Sequence, residues 1–204
     1  MKGADDTQAL IVRHDQQPQD YQSCWASMKL FTLNRDSSTP DEAWLIEHLP
    51  VYTMGIRDGS GDVVERSAIP LVKTDRGGLV TYHGPGQLVI YLMLDLKRLG
   101  SGLKSLVQTL EQVTIDLLRV HGLAASRLMD APGVYVDGRK IASLGLRVQR
   151  GCTYHGVSLN VDMDLSPFEK IVPCGLAGME MTDMKRLGVD TDMKQFGRQF
   201  VQLL

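Results

Sequence analysis

Asp137-Gly138, set between two apolar runs, constrains this chain more than any other pair of residues. A two-residue type I′ turn needs positive φ at both central positions, and Asp-Gly supplies it at little steric cost. The flanking runs, Gly133 to Val136 and Arg139 to Val148, therefore read as the arms of an antiparallel hairpin. Strand alternation from Arg139 places Lys140, Ala142, Leu144 and Leu146 on one face, and Arg139, Ile141, Ser143 and Gly145 on the other.

Further strands are expected around this hairpin. Val51–Ile56, Ile69–Lys73 and Leu79–His83 read as short strands, and Gln87–Leu94 as a buried one because its apolar run is nearly continuous. Thr153–Val161 reads as another. Asp41–His48 and Ser166–Ile171 read as helical turns, and Arg57–Asp62 as a loop. Helical spacing marks an early helix through Tyr21, Trp25, Met28 and Leu30 to Leu33. A second runs from Leu103 to Val120, where Leu103, Leu106, Val107, Leu110, Val113, Leu117 and Leu118 form one stripe and Gly122 a stop. The last covers Asp192–Leu204. The expectation is an α/β fold with a mixed, largely antiparallel sheet and flanking helices. It forms a single domain over residues 1–204, with about the first nine frayed.

An apolar fraction of 43% supports a sizeable core, and a net charge of −2 argues against nucleic-acid binding. No run approaches the roughly 18 unbroken apolar residues of a membrane span, and the N-terminus lacks the apolar core of a signal peptide. Three widely spaced cysteines do not form a disulfide framework, so a cytoplasmic protein is expected.

Three segments carry candidate chemistry. Cys174 lies between Pro173 and Gly175, where neither helix nor strand readily continues; a buried structural thiol is the plainer reading. Lys140 follows the Asp-Gly turn, where lysines are usually solvated, yet it shares its face with apolar residues. A lysine so placed favours an anionic partner such as a thiolate. Arg76 to Gln87 holds four glycines among polar side chains. They serve either backbone geometry alone or the close approach of a ligand, and no phosphate-loop pattern is present. Cys152 and His155 form one ligand pair without a second, so no metal site is expected.

These segments together resemble the octanoyltransferases of lipoate biosynthesis. The resemblance rests on Arg76-Gly-Gly-Leu-Val-Thr-Tyr-His-Gly-Pro-Gly-Gln87, Gly133-Val-Tyr-Val136, Gly138-Arg-Lys-Ile-Ala-Ser-Leu-Gly145, His155-Gly-Val-Ser-Leu-Asn160 and Ile171-Val-Pro-Cys-Gly175. It runs in order from about Tyr21 to the C-terminus, departing at Leu49 and Asp183. It implies the fold of biotin and lipoate protein ligases and no cofactor. It further implies octanoyl transfer from acyl carrier protein, through a thioester on Cys174 activated by Lys140, to a lysine of a lipoyl domain. The implied acceptors are the lipoyl domains of 2-oxoacid dehydrogenases and the glycine cleavage H protein. The implied acyl site comprises Arg76, Gly77, Gly78, Leu79, Val80, Thr81, Tyr82, His83, Ser143, Leu144, Gly145, Gly156, Val157 and Ser158. Lys73, Arg76, Arg139, Arg147 and Arg150 are candidates for docking an acidic carrier protein. An ATP-dependent ligase, a thioesterase and a non-catalytic lipoyl-binding module are the competing readings.

Overall fold

The computed structural model describes residues 10–57, 67–129, 131–172, 178–190 and 192–204. Cys174, and all of the expected 57–62 loop except Arg57, lie outside the described residues.

In chain order the elements are β1 (Ile11–His14), α1 (Tyr21–Asn34), β2 (Glu42–Ile46), β3 (Val51–Met54), β4 (Leu71–Lys73), β5 (Val80–His83) and β6 (Gln87–Met93). They continue as α2 (Leu103–Val120), β7 (Ala125–Leu128), β8 (Ala131–Val136), β9 (Arg139–Gln149), β10 (Cys152–Asn160), a 3₁₀ turn (Ser166–Lys170) and α3 (Met193–Leu203). Seven strands form one sheet in the order β1-β2-β6-β10-β9-β8-β7, and β4-β3-β5 form a second. Only β1–β2 and β3–β4 pair in parallel among these strands, so both sheets are mixed and the larger one is largely antiparallel, as expected.

Asp137 (φ 50°) and Gly138 (φ 76°) both take the left-handed conformation, and the β8–β9 hairpin closes on them. Asp20 caps α1 by accepting from the Ser23 N–H at 2.9 Å. Asp192 does the same for α3 through the Lys194 N–H at 3.0 Å.

Three readings are corrected. Residues 42–46 form a strand instead of a helical turn. Leu45 fills the core on one side and Ile46 packs towards α1 on the other, a two-sided burial that a central strand provides. β1 and β7 were not anticipated. Both are edge strands of four residues, mostly exposed, and lack the apolar alternation that marks a half-buried strand. The third correction concerns β9. Its register with β8 slips, because Tyr135 opposes Lys140 while Val134 opposes Ala142, leaving Ile141 as an extra residue. Directly opposed residues share a face. Lys140 therefore sits on the face of Tyr135, and Ala142 on the opposite face with Val134.

The main core lies on the Ala142 face. There Leu88, Ile90 and Leu92 of β6, Val157 and Leu159 of β10, and Val134 of β8 meet Leu106, Leu110 and Leu118 of α2 and Phe196 and Phe200 of α3. The other face packs Val89, Tyr91 and Met93 against Cys24 and Met28 of α1. No helix of the described residues is long and apolar enough to cross a membrane.

Leu110 is fully buried at the centre of the α2 contact. Leu110→Ala should cost about 2–5 kcal/mol through lost burial and the cavity left behind. At roughly 2–4 °C per kcal/mol for a chain of this size, thermal unfolding should begin several degrees lower.

Candidate active site

Lys140 has no solvent exposure at all. Its Nζ donates to the Pro132 carbonyl at 2.8 Å and lies 5.5 Å from the Tyr135 ring centroid. Room for it comes from Gly133, which adopts φ 143°. A Cβ on Gly133 would stand 2.5 Å from Lys140 Cε and 3.0 Å from Nζ, and 2.8 Å from the Ala142 carbonyl. The lysine backbone is held from its other edge. Its N–H donates to Glu180 O (2.8 Å) and its carbonyl accepts from Thr182 N–H (2.9 Å), forming a parallel bridge with Met181. Asn160 at the end of β10 ties the same segment down, its Nδ2 donating to Thr182 O at 2.9 Å. The chain that follows 173–177 thus runs into the sheet beside the lysine.

Ser143 shares the lysine's face, because it is adjacent to Ala142 and opposes Ser158, which in turn opposes Val89. On that face lies a chamber of about 40 Å³, lined by Ser143, Leu144, Gly145, Gly156, Val157 and Ser158 together with Tyr21, Arg76, His83, Val89, Tyr91 and His155. A larger hollow, of about 220 Å³, is lined by Gly77, Gly78, Leu79, Leu146, Pro132 and Val107, and shares Leu144 and Gly145 with the chamber. Of the fourteen residues implied as the acyl site, Val80, Thr81 and Tyr82 line neither space. Val80 and Tyr82 pack into a separate cluster with Phe168.

The paired glycines allow backbone to meet backbone. Gly77 N–H donates to Leu146 O at 3.0 Å, and a Cβ on Gly145 would come within 3.0 Å of Gly77 O. The Arg76 loop is thereby laid directly along β9. Arg76 is not a docking residue: it is 7% exposed, and its guanidinium is occupied by Thr53 O, Thr53 Oγ1 and Gly77 O. Buried this way it clamps the loop onto β3 and leaves a fixed positive charge at the chamber wall.

A polar cluster at the chamber was not read from the sequence. His155 Nε2 meets Asp75 Oδ1 at 3.1 Å, and Asp75 also accepts from Trp25 Nε1 (2.9 Å) and Tyr154 OH (2.5 Å). Burial works to raise the Asp75 pKa, but the hydrogen bonds from His155, Tyr154 and Trp25 outweigh it and hold the carboxyl well below its ordinary range. An ionised Asp75 requires the proton on Nε2 of His155. Burial keeps that ring neutral, so Nδ1 carries a lone pair, and Nδ1 is buried without a hydrogen-bond partner among the described residues. His48 bonds to Tyr91 OH at 2.6 Å, and Tyr21 stacks on His83 with centroids 5.8 Å apart. The clues were present, since Asp75 directly precedes Arg76 and His155 directly precedes Gly156.

Desolvation pushes His83 and His155 below the usual imidazole value, and takes His48 from 6.5 down to about 4. Histidines of the unfolded chain take up protons near pH 6.5, whereas the buried ring resists. Below that pH the unfolded state binds more protons and gains relative to the folded one. Stability should therefore change little between pH 6.5 and 9.0 and fall steadily from pH 6.5 towards pH 4, with the Asp75 contribution lost only below 3.8. Urea midpoints measured across that range check this, and His48→Gln should flatten the slope.

With this geometry in hand, similarity to known proteins becomes informative. The model of the lipoyl protein ligase A/B catalytic domain matches residues 20–204. The octanoyltransferase of Shewanella halifaxensis is 50% identical over 196 residues, covering 96% of this chain and 89% of that protein. The octanoyltransferase of Chromobacterium violaceum is 54% identical over 171 residues, covering 84% of this chain and 83% of that protein. Among solved structures, lipoate-protein ligase A bound with ATP superposes with a TM-score of 0.76 at 15% identity, covering 95% of this chain and 82% of that one. That likeness is one of fold alone. A shared architecture, a match across nine-tenths of the sequence and half-identical relatives lead to one assignment: the chain belongs to the lipoyl protein ligase A/B catalytic-domain family and, within it, to the octanoyltransferases.

Proposed function

We propose that this octanoyltransferase takes its acyl group from octanoyl-acyl carrier protein, holds it as a thioester on Cys174, and passes it to a lysine of a lipoyl domain. The observation that carries the reading is the burial of Lys140 on the chamber's face of the sheet, with the chain that follows Cys174 bridged to it through Met181.

An ordinary cysteine is only a few per cent thiolate at neutral pH. A desolvated ammonium beside the thiol stabilises the thiolate that attacks the carrier's thioester. One thioester replaces another, the carrier's thiolate taking up the proton that the cysteine gave up. The proton that Cys174 passed to Lys140 goes on to the carrier's thiolate, so acylation leaves Lys140 a neutral amine able to take a proton from the incoming lysine amine. That amine attacks the acyl carbon, an amide forms, and the thiolate leaves.

The acyl chain runs along the lysine's face of β9 in this reading, from Lys140 past Ser143 to Gly145. The three steps from Lys140 to Ser143, at about 3.3 Å each, already give roughly 10 Å, the scale of an eight-carbon chain, so Gly145 would lie at the chain's far end. The chamber itself is too small for such a chain. Leu144 borders both spaces, so its displacement would join the chamber of about 40 Å³ to the hollow of about 220 Å³. The buried rings around the chamber keep water from the thioester.

Cys174→Ser should abolish the octanoyl adduct that intact-protein mass spectrometry detects after incubation with octanoyl-acyl carrier protein. Octanoate with ATP should leave wild type unlabelled; labelling by that pair would point to a ligase. Gly133→Ala should displace the Lys140 ammonium and, because its Cβ also meets the Ala142 carbonyl, lower stability; in the folded fraction, adduct formation should fall by about 100-fold if roughly 2.7 kcal/mol of thiolate stabilisation is lost. Undiminished labelling in that variant would remove Lys140 from the mechanism.

A further inference from the structure

Glu111 is a carboxylate in the wrong place for a soluble helix. It lies on the inner side of α2, 7% exposed, beside Leu110 and one turn from Val107 and Thr114. Burial of a carboxylate requires partners, and Glu111 has two. Oε2 accepts from Arg127 Nε on β7 at 3.0 Å, while Oε1 accepts from the backbone N–H of Gly133 at 3.1 Å. Arg127 is held in turn by the Gln108 carbonyl at 2.9 Å.

The Gly133 N–H and the Pro132 C=O belong to one peptide group. That C=O is the acceptor of the Lys140 ammonium at 2.8 Å. No cis peptide occurs among the described residues, so the N–H and C=O of this unit point in opposite directions. The carboxylate thus sits at one pole of the peptide dipole and the ammonium at the other. A negative charge at the N–H end draws electron density towards the carbonyl oxygen and strengthens its bond to the cation.

We propose that Glu111 is a positioning residue for Lys140, acting across the Pro132–Gly133 peptide: its charge polarises and orients the carbonyl that holds the ammonium in place. The inference rests on the proposed role of Lys140, but touches neither substrate nor thiol directly. It gives Glu111 a function that core packing does not require, since an apolar residue would fill the same space on α2. It also explains why Arg127, 40% exposed at its side chain, sits on an edge strand: it neutralises and fixes the carboxylate from the solvent side.

The test uses the full-length protein and two variants, Glu111→Gln, which keeps shape and loses charge, and Glu111→Leu, which loses both. Loss of one charge-assisted hydrogen bond should lower kcat for octanoyl transfer by about tenfold, with KM for octanoyl-acyl carrier protein unchanged. Glu111→Asp, which retains the charge, should recover most of the loss. Two readouts need no substrate: hydrogen exchange at the Gly133 amide should accelerate in the Leu variant, and the Lys140 ε-¹⁵N resonance should shift in both neutral variants. If wild type transfers no octanoyl group, the proposed function fails, while these two signals still judge the positioning claim. Wild-type kcat in Glu111→Gln with an unmoved Lys140 resonance would overturn the claim, as would a kcat loss matched entirely by a loss of folded protein.

Discussion

The site depends on one buried bond, from the Lys140 ammonium to the carbonyl of Pro132. A cation taken out of water loses several kcal/mol of hydration unless it is closely partnered. Here the partnering comes from the main chain of the adjacent strand, and every nearby irregularity serves it. Gly133 leaves out the Cβ that would occupy the ammonium's place, and its left-handed φ turns the Pro132 carbonyl towards the amine. The extra residue at Ile141 switches the lysine to the chamber's face. Residues 180–182 close the free edge of β9 where β10 has ended.

The two faces of the large sheet divide the work between stability and chemistry. The face towards α2 and α3 is almost purely aliphatic and supplies most of the buried apolar area. The face towards α1 carries the serines, histidines, tyrosines and the lysine. Glycine at 77 and 145 allows a loop to lie flat on β9, so chamber walls come from main chain as well as side chains. The family's glycine-rich signature is therefore, in large part, a packing requirement of backbone against backbone. Glu111 makes a polar contact from the helix on the aliphatic side to the main chain that holds Lys140.

Much of this architecture was legible in the residues. The Asp-Gly turn, the α2 stripe and the long apolar run of β6 each follow from local periodicity, which a single sequence displays directly. Several residues that line the chamber, Arg76, His83, Ser143 to Gly145 and Gly156 to Ser158, lay in segments singled out for their unusual composition. Register was not legible. A bulge depends on how two strands pair, so simple alternation from Arg139 placed Lys140 on the wrong face. The edge strands β1 and β7 escaped because they are short and solvated on both sides. The Asp75–His155 pair spans eighty residues, a separation that no local pattern encodes.

The parallel bridge between Lys140 and Met181 has a bearing on biosynthesis. Met181 is encoded more than forty codons after the lysine it secures, and the segment around it is also needed to satisfy Asn160. A nascent chain halted before that point would carry an uncovered strand edge at Lys140. Translation must run almost to the end of these 204 residues before the ammonium is enclosed.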